Sequence, residues 1–320
     1  MLKYGAPPSP WGTVMVPKRS NSHLNSDNTV RHAFCVHSAW PQLVQTPQED
    51  DWMYGDTVDG FTKLAEKKIA FFRRSPGGFL VASMLAGAYV GMGILLIFTL
   101  GSEVPAEARR LVMGATFGIA LTLVVIAGAE LFTGYTLFMA LRRYRGTGSL
   151  GEIGSTWALT WLGNLAGALV LVALFDMGGG GGLLDAPDGL VMKVAAAKMN
   201  APATSLFARA ILCNWLVCLA IWMAARVDSD IARCVVVFWC LLAFIVCGFE
   251  HSVANMTLLG LALSGNHPDT VSLAGAVWNL GWVTLGNIVG GAVFVGGAYY
   301  VSSHGFPAPA RSAHAELEAK

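Results

Sequence analysis

The chain has 320 residues, of which 54% are hydrophobic and only 13% charged, with a mean hydropathy of +0.55. An ordinary soluble domain carries about a quarter charged residues, so this composition excludes one. The formal net charge is +1 and no basic block interrupts the sequence, which argues against a nucleic-acid partner.

In chain order, residues 1–52 are polar and rich in Pro, Ser, Asn and His, with no apolar period and no signal-peptide pattern. They are expected to form a disordered tail or an extension ahead of a natural start at Met53, without an assigned function. Residues 53–78 read as an amphipathic N-terminal helix lying at a membrane interface. Val58, Phe61, Leu64, Ala65, Ile69 and Phe72 form one face, and Lys63, Lys67, Lys68, Arg73 and Arg74 surround it. Pro76-Gly77-Gly78 is expected to break the chain.

Apolar stretches then follow at 79–100, 111–141, 157–175, 205–225, 234–263 and 273–301, with five glycines at 178–182 opening a polar connection. Residues 302–320 read as a polar tail. A hydrocarbon core about 30 Å thick needs about 20 apolar residues in a helix. Only helices or closed barrels satisfy their backbone groups there, and these runs are continuous rather than alternating. The fold class is an all-α polytopic membrane protein.

Two stretches are too long for one straight span: 111–141 has 31 residues and 234–263 has 30. At 1.5 Å per residue each would reach roughly 45 Å. Each carries a polar, glycine-containing interruption, at Gly128-Ala129-Glu130-Leu131-Phe132-Thr133-Gly134 and at Gly248-Phe249-Glu250-His251-Ser252. The second and fifth helices are therefore expected to be broken. The motif Gly-x-Glu recurs 120 residues apart, and Leu162-Gly163-Asn164-x-x-Gly167 recurs as Leu285-Gly286-Asn287-x-x-Gly290 after 123 residues. The chain reads as two three-helix repeats. Three is odd, so the second must be inverted, an arrangement that points to a transport site at the midplane.

Lys and Arg placement orients the chain. Lys63, Lys67, Lys68, Arg73, Arg74, Arg142, Arg143, Arg145, Arg226, Arg233, Arg311 and Lys320 fall on one side. Only Arg109, Arg110, Lys193, Lys198 and Arg209 fall on the other, so both termini are expected in the cytoplasm. Small-x-x-x-small pairs at Gly87/Gly91, Gly114/Gly118, Gly163/Gly167 and Gly286/Gly290 suit close helix packing. Trp157, Trp161, Trp222, Trp239, Trp278, Tyr299 and Tyr300 are expected as interfacial anchors. Cys35, Cys213, Cys218, Cys234, Cys240 and Cys247 include no C-x-x-C pair, so packing roles are expected, with no metal and no cofactor.

Ionisable groups inside spans are costly and mark candidate sites. Glu130, Glu250 and His251 qualify. For each glutamate the alternative is structural: a carboxylate accepting backbone N–H groups freed where a helix unwinds. His251 sits in the break itself and suits a protonatable role, the alternative being a satisfied core histidine. Asn164 and Asn214 read as interhelical hydrogen-bonding residues, while Asn255 and Asn287 fall closer to the expected pathway. Thr133 can meet His251 across the repeat axis. No G-x-S-x-G, Walker A, dinucleotide or zinc motif is present, so an ATP-driven pump or an enzyme is not expected.

At AGAYVGMGILLIFTLG (86–101), LVMGATFGIALTLVVIAGAELFTG (111–134), CNWLVCLAIWMA (213–224), CLLAFIVCGFEHSVANMTL (240–258) and WVTLGN (282–287), the chain resembles the formate–nitrite transporter family. The resemblance covers residues 53–300, and G-F-E-H-S-x-A-N-M is its most specific segment. It implies an aquaporin-like, six-helix protomer in a homopentamer in the bacterial inner membrane, with residues 79–301 as the channel domain. It also implies passage of nitrite or a related small anion such as formate or hydrosulfide. Two hydrophobic constrictions, from Phe117, Leu121, Val217 and Phe244, would flank a central His251 partnered by Thr133. Asn255, Asn287, Glu250 and Lys198 would complete the polar surroundings, with Lys198 contributing to a cationic vestibule that concentrates the anion. Cys247 departs from the family's usual small Ser or Ala, with little expected effect. The competing readings are a neutral-solute channel, a proton-coupled anion transporter and, more remotely, an intramembrane enzyme.

Overall fold

A computed structural model describes residues 53–305. The expected tail at 1–52, the charges Arg311 and Lys320, and Cys35 lie outside the described residues. Among the described residues the regular structure is helical, with no strand. The helices are α1 (Gly55–Arg74), α2 (Pro76–Glu103), α3 (Ala106–Gly128), α4 (Phe132–Tyr144) and α5 (Leu150–Met177). They continue with α6 (Leu190–Met199), α7 (Ala203–Ala224), α8 (Asp230–Val246), α9 (Ser252–Ser264) and α10 (Leu273–His304).

Helices α2, α3, α5, α7 and α10 are long and apolar enough to cross a membrane. The remaining apolar stretch is divided: α8 has 17 residues and α9 has 13. Stretch 111–141 divides in the same way into α3 and the 13-residue α4. Both long stretches are therefore broken helices.

The chain does not break at Pro76-Gly77-Gly78. Proline is accommodated at the first position of a helix, where its missing N–H has no intrahelical partner in any case. The stop is Ser75 alone, whose hydroxyl caps α2 by accepting from Gly78 N at 3.3 Å. Between α5 and α7 the sequence reading also missed α6. Its run Val-Ala-Ala-Ala-Lys consists largely of good helix formers, but it is too short to register as a span.

Helix α1 does not lay its apolar face on lipid. Val58, Phe61, Ala65 and Ile69 are buried against the protein, with Phe61 stacked on Phe138 of α4 and Trp222 of α7. Trp222 is therefore no interfacial anchor: it is 1% exposed and stacks on Tyr299 at 3.9 Å. Trp239 and Trp278, by contrast, remain exposed.

Close packing of α2 on α5 requires glycine. A Cβ on Gly87 would stand 1.9 Å from the Asn164 carbonyl, and one on Gly167 would stand 1.8 Å from that of Met84. Gly286 and Gly290 play the same part between α10 and α7, where a Cβ would come within 2.5 Å and 2.4 Å of the Phe207 and Ile211 carbonyls. These two crossings bring Asn164 and Asn287 against the two breaks.

Candidate functional site

The two breaks are built alike. Helix α3 widens into a π-helical turn over Leu123–Gly128 and stops at Gly128, whose φ of +85° disfavours any residue with a Cβ. Helix α8 ends ahead of Gly248, at φ +71°. After each glycine one N–H reaches back five residues, from Ala129 to the Val124 carbonyl and from Phe249 to that of Phe244. One more N–H is met by a neighbouring helix: Glu130 N donates to Ala82 O, and Glu250 N to Arg209 O.

An asparagine closes each break. Asn164 Oδ1 accepts from Phe132 N at 2.9 Å, while its Nδ2 donates to the carbonyls of Ser83 (2.8 Å) and Glu130 (2.9 Å). Asn287 Oδ1 accepts from Ser252 N at 2.8 Å, while its Nδ2 donates to the carbonyls of Ala210 and Glu250, both at 2.9 Å. Backbone groups unwound at membrane depth are thus satisfied by protein, as they must be. The acceptor in each case is an asparagine rather than the glutamate expected from sequence. An asparagine amide offers both an acceptor and two donors, which a carboxylate does not.

The glutamates instead hold lysines. Glu130 pairs with Lys68 of α1 and accepts from Tyr135 Oη at 2.9 Å. Glu250, its side chain 3% exposed, accepts from Lys198 Nζ and from Asn255 Nδ2, both at 2.7 Å. Asn255 also donates to Asn279 Oδ1 at 2.8 Å, and Asn279 Nδ2 reaches the Lys198 carbonyl. Lys198 is therefore compensated by Glu250 and does not stand as a free vestibule charge.

Thr133 and His251 meet from opposite breaks, with Thr133 Oγ1 3.1 Å from His251 Nε2 and both residues buried. The other ring nitrogen, Nδ1, accepts from Ala254 N at 3.0 Å. A nitrogen that accepts carries no proton, so the neutral ring bears its hydrogen on Nε2. His251 then donates to Thr133 Oγ1, which leaves the threonine's own hydrogen free to be donated elsewhere. A second proton on the ring would require release of the Ala254 N–H.

His251 lines a cavity of about 10 Å³, the room of a single water. Its other walls are Val90, Phe117, Ala120, Leu121, Leu131, Val217, Leu241 and Phe244. All four residues expected at constrictions thus line the same cavity as the histidine. Phe244 lies parallel to the His251 ring at 6.1 Å, and Phe117 meets Phe244 edge-on at 5.5 Å. Asn255, Asn287, Glu250 and Lys198 sit behind this wall rather than on it. Sequence reasoning missed Val90, Ala120, Leu131 and Leu241 as lining. Leu131 was accessible to it, because it stands 120 residues before His251 in the repeat register.

Comparison with known proteins shows the family and the fold. A family model described as formate/nitrite transporter matches residues 55–301. The nitrite transporter NirC of Salmonella typhimurium is 52% identical over 261 residues, covering 81% of this chain and 96% of that protein. A solved FNT family ion channel is similar with a TM-score of 0.75 at 52% identity, covering 77% of this chain and 98% of the other. A pentameric formate channel with formate bound is similar with a TM-score of 0.60 at 28% identity, covering 75% and 98%.

Proposed function

The chain belongs to the formate/nitrite transporter family, and on that premise we propose that it passes nitrite, and with it other small monovalent anions such as formate, across the bacterial inner membrane. The observation that carries this reading is the Thr133–His251 contact, made between two helix breaks, with His251 at the wall of an otherwise apolar cavity and Thr133 directly behind it. Nitrite is favoured over formate because the NirC relative is 52% identical and the formate channel 28%. The working unit is a homopentamer with a path through each protomer and both termini in the cytoplasm. No chemical conversion is assigned to it.

An anion entering a cavity lined by Phe117, Leu121, Leu131, Val217 and Phe244 loses water and gains little in return. Three features of the chain offset that cost. The N-termini of α4 and α9 begin at the two breaks, each presenting the positive end of a helix dipole. The Thr133 hydroxyl hydrogen, freed by the donor His251, is available to an anion. His251 can take a proton at Nδ1 once the Ala254 N–H is released, letting the substrate cross as a paired ion or neutral acid. The Lys198–Glu250 and Lys68–Glu130 pairs hold the two breaks while leaving no net charge at the site.

The test is flux from proteoliposomes loaded with nitrite, formate or chloride at several pH values. Nitrite is expected to pass fastest and chloride slowest, and His251→Asn is expected to flatten the pH dependence. An unchanged flux and pH profile in His251→Asn would sink the reading.

A further inference from the structure

Thr133 is held from behind by a buried hydrogen-bond chain that neither its role nor that of His251 explains. Its carbonyl accepts from Thr136 Oγ1 at 2.6 Å, from Cys218 Sγ at 3.4 Å and, more weakly, from Asn214 Nδ2 at 3.3 Å. The same Asn214 amide donates to Thr136 Oγ1 at 2.9 Å and to the Asn287 carbonyl at 2.6 Å. Thr133, Thr136, Asn214, Cys218 and Asn287 are all 0% exposed. The chain therefore runs from the asparagine that closes the second break to the threonine in the first turn of α4, just after the first. It passes through α7 and stays out of the cavity.

The room for it is made by one residue. A Cβ on Gly291 would stand 2.0 Å from Thr136 Oγ1, 2.7 Å from Asn214 Nδ2 and 2.9 Å from Cys218 Sγ. Gly291 lies in the π-helical segment Gly290–Gly297 of α10, and π-turns are frequent where a helix is shaped around a site.

We propose that Thr136, Asn214 and Cys218, in the space left by Gly291, are positioning residues that fix the Thr133 hydroxyl against His251 Nε2 and so set how an anion meets it. They touch the backbone of Thr133 and not the cavity; Thr136 acts on the pathway through Thr133, while Asn214 is also tied to the Asn287 carbonyl. Thr136 is the central link because it both accepts from Asn214 and donates to Thr133. A hydroxyl is needed there and the methyl is not. This inference rests on the reading of Thr133 and His251 as the anion's contacts.

The experiment compares Thr136→Val, which deletes the hydroxyl at nearly constant shape, with Thr136→Ser, which keeps it, in the presence and absence of Thr133→Val. The readouts are nitrite flux against pH in proteoliposomes and the ¹⁵N resonances of His251. Thr136→Val is expected to lower flux about five- to tenfold, the scale of one lost hydrogen bond, and to move the pH profile towards that of Thr133→Val. Thr136→Ser should stay within about twofold of the parent. The double variant should be no slower than Thr133→Val alone, because coupled residues are not additive. Should Thr136→Val fail to assemble, Cys218→Ala and Gly291→Ala carry the same comparison, with the larger shift expected from Gly291→Ala. If Thr133→Val matters and Thr136→Val lowers only thermal stability, or adds in full to Thr133→Val, the positioning role is overturned. If Thr133→Val itself leaves flux and pH profile unchanged, the underlying site assignment fails instead.

Discussion

The two breaks share a backbone plan and differ in the side chains they present. In each, a left-handed glycine, an N–H reaching back five residues and an asparagine brace recur 120 to 123 residues apart. Each glutamate takes a lysine and the residue five positions on, Tyr135 in the first break and Asn255 in the second. The reactive positions are not duplicated. Leu131 corresponds to His251, and both line the cavity; Thr133 corresponds to the apolar Val253. Satisfying unwound backbone is a requirement both halves face, so it is solved twice. The buried Thr133–His251 pair occurs once, and it is assembled diagonally from one residue of each half.

The comparison can be broken first at the braces. Removing the Asn287 amide by mutation to Ala leaves the Ser252 N–H and the Glu250 carbonyl unpartnered in the interior, while the Ala210 carbonyl keeps its bond within α7. Each orphaned buried group costs about 1–3 kcal/mol, so a loss of about 2 kcal/mol or more is expected. Asn164→Ala orphans the same number of groups and should cost a similar amount. Thermal unfolding of the detergent-solubilised protein would measure both, and a large difference between them would show that the halves are not braced equivalently.

A smaller effect is expected at the glycines. Gly128 and Gly248 have positive φ, and a Cβ added at either would meet nothing within 4 Å, so only backbone strain opposes a side chain. Alanine at either should cost about 1–2 kcal/mol. Asn, which tolerates the left-handed region better, should cost less at both positions, as read from the same melting curves.

Much of this plan was legible in the sequence. Length excess located the breaks, and the repeated Gly-x-Glu and Gly-Asn-x-x-Gly set their register. His251 stood out by its place in the second break, and Thr133 as its partner came with the family resemblance. The tasks of the polar groups were harder to read, because sequence shows that a buried polar residue needs a partner without showing which. Glutamate is the natural acceptor for freed N–H groups on charge alone, yet Asn164 and Asn287 occupy that place. Lys198 reads through the family resemblance as a vestibule charge, but Glu250 lies 2.7 Å away. Helix α1 has the amphipathic pattern of an interfacial helix, and the same pattern serves equally to dock on α4 and α7. The Asn287–Asn214–Thr136–Thr133 chain joins three helices, at its two ends through backbone carbonyls, which no side-chain motif records.

The smallest difference between the halves tests whether every asymmetry matters. Cys247 precedes the second glycine where Ala127 precedes the first, and both are exposed. Cys247→Ala makes the two positions identical. Exposed substitutions away from caps and cores usually fall within about 0.5 kcal/mol, so the melting midpoint and the nitrite flux should both be unchanged. The same swap of identity at the buried pair, His251→Leu, should abolish the pH dependence of flux, because it leaves Thr133 without its donor. If Cys247→Ala instead altered flux while His251→Leu did not, the asymmetry that defines the pathway would lie outside the cavity, at the exposed edge of the second break.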